Sequence, residues 1–375
     1  MLSNKISEKK NKLCGESSEE FSCTVDLSEA EDQADLFTGP NDCYSTTSSV
    51  EECDILWLGR PFRPSDNELV SKLNGFINRI SGTEFFREKE LQYTIMNQLK
   101  DLLPEDFRFH PSSYSLMREY DLLKKDVINS GDEKLWIAKP SDGGDGDDIF
   151  VFRNMEELHN RGIQDDMVVQ HYISNPLTLH NRKWDARLYL MIHGINPMKG
   201  YASVDCGFGR FCVADYDDSD VTNPFSHITN SAINSKSEDF VNPEEEDSNE
   251  ERVLGRYHMT RVWEMIAEQY PEANIEDMKA QVLQISNGIL RAFRPSIEIE
   301  SSQMLGTIKD PSENSKYFHV LGLDIMFDDK FNAWLIETNR FPSMNLYFMS
   351  PNAEGVLTKT RSPIDESRKR TIIRE

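Results

Sequence analysis

The side chains best suited to chemistry lie in V-L-G-L-D-I-M-F-D-D-K-F-N-A-W-L-I-E-T-N, residues 320–339. The pattern predicts two strands joined by a polar turn at Asp328-Asp329-Lys330. Glu337 and Asn339 are two positions apart, so on a strand they share a face, and Asp324 on the partner strand can reach it. Two carboxylates and a carboxamide oxygen make a hard, all-oxygen set suited to Mg²⁺ holding nucleotide phosphates. A hairpin with a merely polar outer face is the plainer reading. Against it, residues 321–327 and the pair Leu335 and Ile336 are too apolar for an exposed edge. A second stretch, R-K-W-D-A-R-L-Y-L-M-I from Arg182, alternates Lys183, Asp185 and Arg187 with Trp184, Ala186 and Leu188. A solvent-facing row of charges would account for it. The apolar continuation through Ile192 instead puts the strand inside a sheet, where unpaired charge is costly, so a lined cleft is the better account.

A third stretch, W-I-A-K-P-S-D-G-G-D-G-D-D-I-F-V-F, places Lys139 at a strand end before a Gly-rich turn and another strand. Such a loop can fold over phosphates, with backbone N–H donors and a lysine as point charge; a plain hairpin turn fits as well. It matches neither G-x-x-x-x-G-K-[ST] nor G-x-G-x-x-G. The histidines lack metal-ligand spacing, and His171 or His227 alone reads as structural. No G-x-S-x-G is present.

The elements that must position these groups are strands near 54–58, 135–138, 149–152, 167–173, 187–193, 320–327 and 333–338. Helices are predicted at 84–103 and at 275–293, where Ile275, Met278, Val282, Ile285, Ile289 and Phe293 step by three or four. Irregular alternation with hairpin-linked strands predicts a mixed α/β (α+β) fold over a regular doubly wound sheet. Residues 1–53, rich in Ser, Glu and Asp, are expected to be a disordered acidic tail. The run at 244–251 reads as a solvated loop.

The six cysteines (Cys14, Cys23, Cys43, Cys53, Cys206, Cys212) show no C-x-x-C spacing, so neither a zinc site nor a disulfide framework is indicated. No apolar run reaches the ~18 residues of a membrane span, and the polar start lacks a signal peptide's apolar core. A formal charge of −24 disfavours nucleic acid and anionic membranes as partners. A cytoplasmic monomer with reduced thiols is expected.

Six blocks, taken in order, resemble the tubulin–tyrosine ligase-like family. They are W-I-A-K-P, V-V-Q-H-Y-I-S-N-P-L, R-K-W-D-A-R-L-Y, F-S-H-I-T-N-S-A-I-N, D-I-M-F-D-D and W-L-I-E-T-N-R-F-P-S, spanning residues 135–345. The resemblance implies an ATP-grasp fold in which mixed sheets clamp ATP. A small N-terminal lobe would occupy 54–110, a central lobe 111–185, a C-terminal lobe with the metal site 186–350, and a tail 351–375. It further implies that Lys139 and Gly146 contact the nucleotide and that Gln170, His171, Tyr172 and Ile173 form the hinge against adenine. Lys183, Asp185, Thr229 and Asn230 would line the nucleotide pocket. Arg187 and Arg210 would hold the incoming amino acid or the reacting phosphoryl group, and Asp324, Glu337 and Asn339 would bind Mg²⁺, Glu337 serving catalysis as well.

The implied reaction is ATP-dependent activation of a protein carboxylate as an acyl phosphate, followed by coupling of a free amino acid. L-Glutamate is the expected donor and tubulin, or another acidic protein, the acceptor. The implied setting is the cytoskeleton and microtubules, with cilium or flagellum open. Three departures stand out. Where the family has R-G-R-G-I, this chain has Asp145-Gly146-Asp147-Asp148-Ile149, an acidic loop where phosphates are expected. The small-lobe lysine is not assigned, Lys89 and Lys100 being the candidates. The tail carries only a modest basic cluster at Arg368-Lys369-Arg370 and Arg374. Two alternatives therefore stay open: a weak or inactive member acting as a nucleotide- or cytoskeleton-binding module, and a ligase for a non-tubulin acceptor.

Overall fold

The computed structural model describes residues 21–26, 33, 36–37, 44–46, 49–86, 88–131, 133–141, 148–162, 166–240, 255–305, 313–351 and 357–374. Three sheets and a hairpin make up a mixed α/β fold. The first sheet is parallel, in the order β2-β1-β3-β4, from β1 (Phe21–Asp26), β2 (Tyr44–Thr46), β3 (Ile55–Leu58) and β4 (Phe76–Ile77). Two of these strands fall within the described part of residues 1–53, so disorder is not what the structure shows at those positions. Composition averages over the stretch and hides a local alternation, F-S-C-T-V-D, that an apolar neighbour such as β3 can recruit. Leu36 and Phe37 are also buried, and Phe37 meets the Trp57 ring edge-on at 5.4 Å.

Helix α1 (Lys89–Leu102) leads into the second sheet. Its strands β5 (Ser113–Ser115), β6 (Trp136–Pro140), β7 (Phe150–Phe152) and β8 (Met167–His171) run antiparallel in the order β5-β8-β6-β7. Helix α2 (Leu116–Ser130), capped by Ser115, covers one face, where Leu123 and Val127 bury against Trp136, Ala138, Phe152 and Val169. Strand alternation then sends Lys139 and Gln170 to the opposite face.

The third sheet holds the largest core. Its antiparallel order is β11-β10-β9-β12-β13, from β9 (Trp184–His193), β10 (Lys199–Phe211), β11 (Arg256–His258), β12 (Phe318–Phe327) and β13 (Ala333–Asn339). Trp184, Ala186, Leu188, Leu190 and Ile192 lie on the face covered by α3 (Met259–Gln269) and α4 (Ile275–Leu305). Helix α4 runs past the predicted end through Pro295, and Ile297 continues its buried stripe. The boundary expected at 185/186 falls inside β9.

The expected tail at 351–375 instead contains β15 (Leu357–Arg361), paired with β14 (Tyr347–Pro351), and helix α5 (Pro363–Arg374). Helix α5 is anchored to the third sheet: Asp365 Oδ2 pairs with Arg256 at 2.9 Å, and Lys369 Nζ donates to the Asn345 carbonyl at 2.6 Å. No helix among the described residues is long and apolar enough to cross a membrane.

Candidate active site

Antiparallel register lines up charged residues across all five strands of the third sheet, on the face away from α3 and α4. Arg256 pairs with Arg210 and Arg210 with Asp185; Arg187 pairs with Asp324 and Asp324 with Glu337. Arg210 bridges two carboxylates, Asp185 at 2.5 Å and Asp324 at 2.9 Å. Arg187 forks onto Asp324 at 2.5 and 3.0 Å, while Asn339 Nδ2 donates to the same carboxylate at 3.3 Å. Thr229 Oγ1 closes the other end by donating to Asp185 at 2.7 Å. Gly322 keeps the row open: a Cβ there would lie 3.3 Å from Arg187 Cδ and 3.5 Å from Asn339 Cβ. Burial disfavours the Asp324 anion, but Arg187 and Arg210 outweigh it and hold the carboxyl well below the usual range. Burial likewise opposes the charge on Arg210, and Asp185 and Asp324 more than restore it.

The second wall is the open face of the second sheet together with α1. Lys139 Nζ is buried and donates to Gln170 Oε1 at 3.0 Å; Gln170 in turn donates to Ser113 Oγ at 3.0 Å. Lys183 Nζ, also buried, donates to Tyr172 Oη at 2.9 Å and to the His227 carbonyl. Burial lowers both lysines to about 8, with Glu337 pulling Lys139 up and Cys212 and Asp185 pulling Lys183 up. Helix α1 joins the two walls. Lys89 pairs with Glu337 at 3.4 Å, Tyr93 Oη donates to the Ile336 carbonyl at 3.0 Å, and Gln92 Nε2 donates to the Thr338 carbonyl at 3.2 Å.

The sequence-predicted residues thus converge to different degrees. Lys139, Gln170, Tyr172, Lys183, Asp185, Arg187, Arg210, Thr229, Asp324, Glu337 and Asn339 come together where the second and third sheets meet. His171 turns the other way, its ring 4.3 Å from that of Trp136 and its Nε2 3.1 Å from Asp126, so only its backbone faces the hinge. Ile173 follows β8, half-buried. Asn230 caps the short helix Ser231–Asn234 by accepting from Ala232 N at 2.8 Å. Gly146 and the acidic positions Asp142, Asp145 and Asp147 lie outside the described residues. Of the two candidate lysines, Lys89 reaches the row, whereas Lys100 caps the His110 carbonyl at 2.7 Å. Sequence reasoning missed Tyr93, Ser113, Arg256 and Asp365; none sits in a motif, and each arrives through helix or strand placement. His227, expected to be structural, supports the site by holding Tyr172 Oη at 2.8 Å.

The donor set bears on what the cleft can hold. Two buried ammonium groups have only neutral hydrogen-bond partners among the described residues, which suits an anion with several oxygens. Asp324, Glu337 and Asn339 share the facing wall. The described residues contain no group of three His, Cys, Asp or Glu placed for a metal ion. Two carboxylates and an amide fit Mg²⁺, which normally completes its shell with water and phosphate oxygens.

The profile of the Tubulin-tyrosine ligase family matches residues 67–349. The chain is similar to the mouse tubulin polyglutamylase TTLL11, 29% identical over 345 residues, covering 86% of this chain and 44% of that protein. It is similar to the human tubulin polyglutamylase TTLL7, 26% identical over 309 residues, covering 80% of this chain and 33% of that one. The chain therefore spans less than half the length of these relatives. By its match over most of the described fold, the chain belongs to the tubulin-tyrosine ligase family.

Proposed function

We propose that this chain is an ATP-dependent carboxylate–amine ligase of ATP-grasp architecture that couples L-glutamate to tubulin, acting as a monomer on microtubules. One observation carries the reading: Lys139 and Lys183 are buried with neutral hydrogen-bond partners, beside a row of arginines and carboxylates. Buried ammonium groups of this kind are stabilised by a polyanion, and the family match makes ATP the choice. The names of the relatives, tubulin polyglutamylases, support the acceptor and the donor.

In this reading Lys139 and Lys183 take phosphate oxygens, and the backbone from Gln170 to Ile173 meets the adenine. Glu337, Asn339 and Asp324 would hold Mg²⁺, which would supply positive charge to the phosphates. An acceptor carboxylate oxygen attacks the γ-phosphorus and ADP leaves; the amine of the donor then attacks the acyl carbon, phosphate leaves and the nitrogen gives up a proton. The chain contributes position and charge to both steps and needs no nucleophile of its own. Arg187 and Arg210 stand where negative charge accumulates, and their carboxylate partners keep both guanidinium planes fixed in advance.

The test is incorporation of labelled glutamate into tubulin by the purified chain with ATP and Mg²⁺. ATP-dependent label on tubulin is expected. Tight ATP binding with no label on any acceptor would replace the ligase by a nucleotide-dependent binding module.

A further inference from the structure

The charged row does not stop at Arg210. One strand further out, Arg256 stands in register with it and on the same face, about 6.0 Å from the Phe208 ring. Its Nε and Nη2 donate to Ser231 Oγ at 3.2 and 2.9 Å, and Nη1 donates to Asp365 Oδ2 at 2.9 Å. That leaves one N–H on each Nη without an acceptor among the described residues. The side chain is 24% exposed while Asp365 is 3% exposed, so the guanidinium is held by a buried carboxylate and keeps part of its surface open to solvent. Lys369, one turn along α5, meets the other oxygen of Asp365 at 2.9 Å and fixes that carboxylate in turn.

Arg256 is therefore built differently from its neighbours. Arg187 and Arg210 direct Nε and Nη2 onto Asp324 and Asp185 within the row. Arg256 is tied by a hydroxyl and by a carboxylate from another element, and it keeps one N–H on each Nη for a further acceptor.

We propose that Arg256 selects the donor: it takes the side-chain carboxylate of an acidic amino acid, with Asp365 as the positioning residue that aims it. This rests on the ligase reading and adds what that reading lacks, a reason within this chain for an acidic donor over glycine or tyrosine. A donor without the second carboxylate leaves those two N–H groups without an acceptor, which is what discriminates against it.

The test compares wild type with Arg256→Lys, Arg256→Gln and Asp365→Asn. Apparent KM and kcat are measured with labelled glutamate, glycine and tyrosine on tubulin, and ATP affinity is measured alongside. Arg256→Gln should raise the glutamate KM about 10- to 100-fold, the loss of one charge-assisted bidentate contact, with kcat and ATP affinity changed far less. Arg256→Lys keeps the charge and the tie to Asp365 but loses the fork, and should raise that KM several-fold. Asp365→Asn should act in the same direction on KM. An unchanged glutamate KM in Arg256→Lys, or an equal loss of kcat with every donor, overturns the proposal. Wild-type turnover is read first: if it is nil with all donors, the ligase reading fails. Equilibrium dialysis of labelled glutamate against ATP-loaded wild type and Arg256→Gln then still decides the role of Arg256, equal binding overturning it.

Discussion

Glu337 is the least committed carboxylate of the row, 27% exposed and held only by Lys89 at 3.4 Å among the described ion pairs, whereas Asp324 is surrounded by donors. A metal ion or a shift in charge would register there first. Glu337→Gln keeps the size and removes one anionic oxygen, so turnover should fall about 10²- to 10³-fold while the melting temperature barely moves. Unchanged turnover at saturating Mg²⁺ would take Glu337 out of the metal role. The buried lysines give a second prediction. Both titrate near 8 in the nucleotide-free fold against an ordinary 10.5, because burial disfavours their charge. The folded protein therefore carries a penalty at every pH below about 8 that is relieved as pH climbs toward 10.5. Phosphate oxygens reverse the shift, so ATP binding near pH 8 to 9 should take up protons and weaken at higher pH. Calorimetry in buffers of different ionisation enthalpy reads this directly; zero proton uptake would mean that neither lysine meets the phosphates.

At the scale of elements, β10 matters most for alignment because it carries Arg210. It pairs with β9 in two registers separated by a bulge between Ser203 and Gly207. At Gly207 a Cβ would lie 2.3 Å from the Arg187 carbonyl oxygen, a backbone atom that cannot step aside without moving Arg187 itself. Gly207→Ala should therefore cost about 2–4 kcal/mol of stability and lower turnover together, as read from urea midpoints and incorporation assays. A stable variant with full turnover would show that the bulge does not set the Arg187 position. This strand also marks where sequence reading stops. From Lys183 into β9 the alternation of charge and apolar residue was legible, and Asp185 and Arg187 fall where it puts them. The β12–β13 hairpin was legible in the same way. In β10, Gly200, Gly207 and Gly209 interrupt the pattern, since they answer to neighbours: a Cβ at Gly200 would meet Leu290 Cδ1 at 2.2 Å, and one at Gly209 would meet Val262 Cγ2 at 2.6 Å. Arg256 was illegible for a related reason. Its strand is three residues long, and its carboxylate partner lies 109 positions away.

At the scale of the whole molecule, charge sets how an acceptor arrives. The chain carries −24, and each arginine of the row already faces a carboxylate: Arg187 faces Asp324, Arg210 faces Asp185 and Asp324, and Arg256 faces Asp365. The arginine row therefore adds little surplus positive charge to offset the rest of the surface. An acidic acceptor and this chain repel each other over the range that salt leaves unscreened, about 30 Å at 0.01 M and about 10 Å at 0.1 M. For an oppositely charged pair, added salt slows encounter; here the sign is reversed. Raising NaCl from about 10 to about 100 mM should increase kcat/KM for tubulin or an acidic peptide several-fold by lowering KM, with kcat nearly constant. A peptide acceptor of the same length but near-neutral charge should show a much flatter response, which separates screening from any effect of salt on the chain itself. If kcat/KM for the acidic acceptor falls as salt rises, a local cationic path outweighs the net charge, and the long-range repulsion inferred from −24 plays no part in acceptor capture.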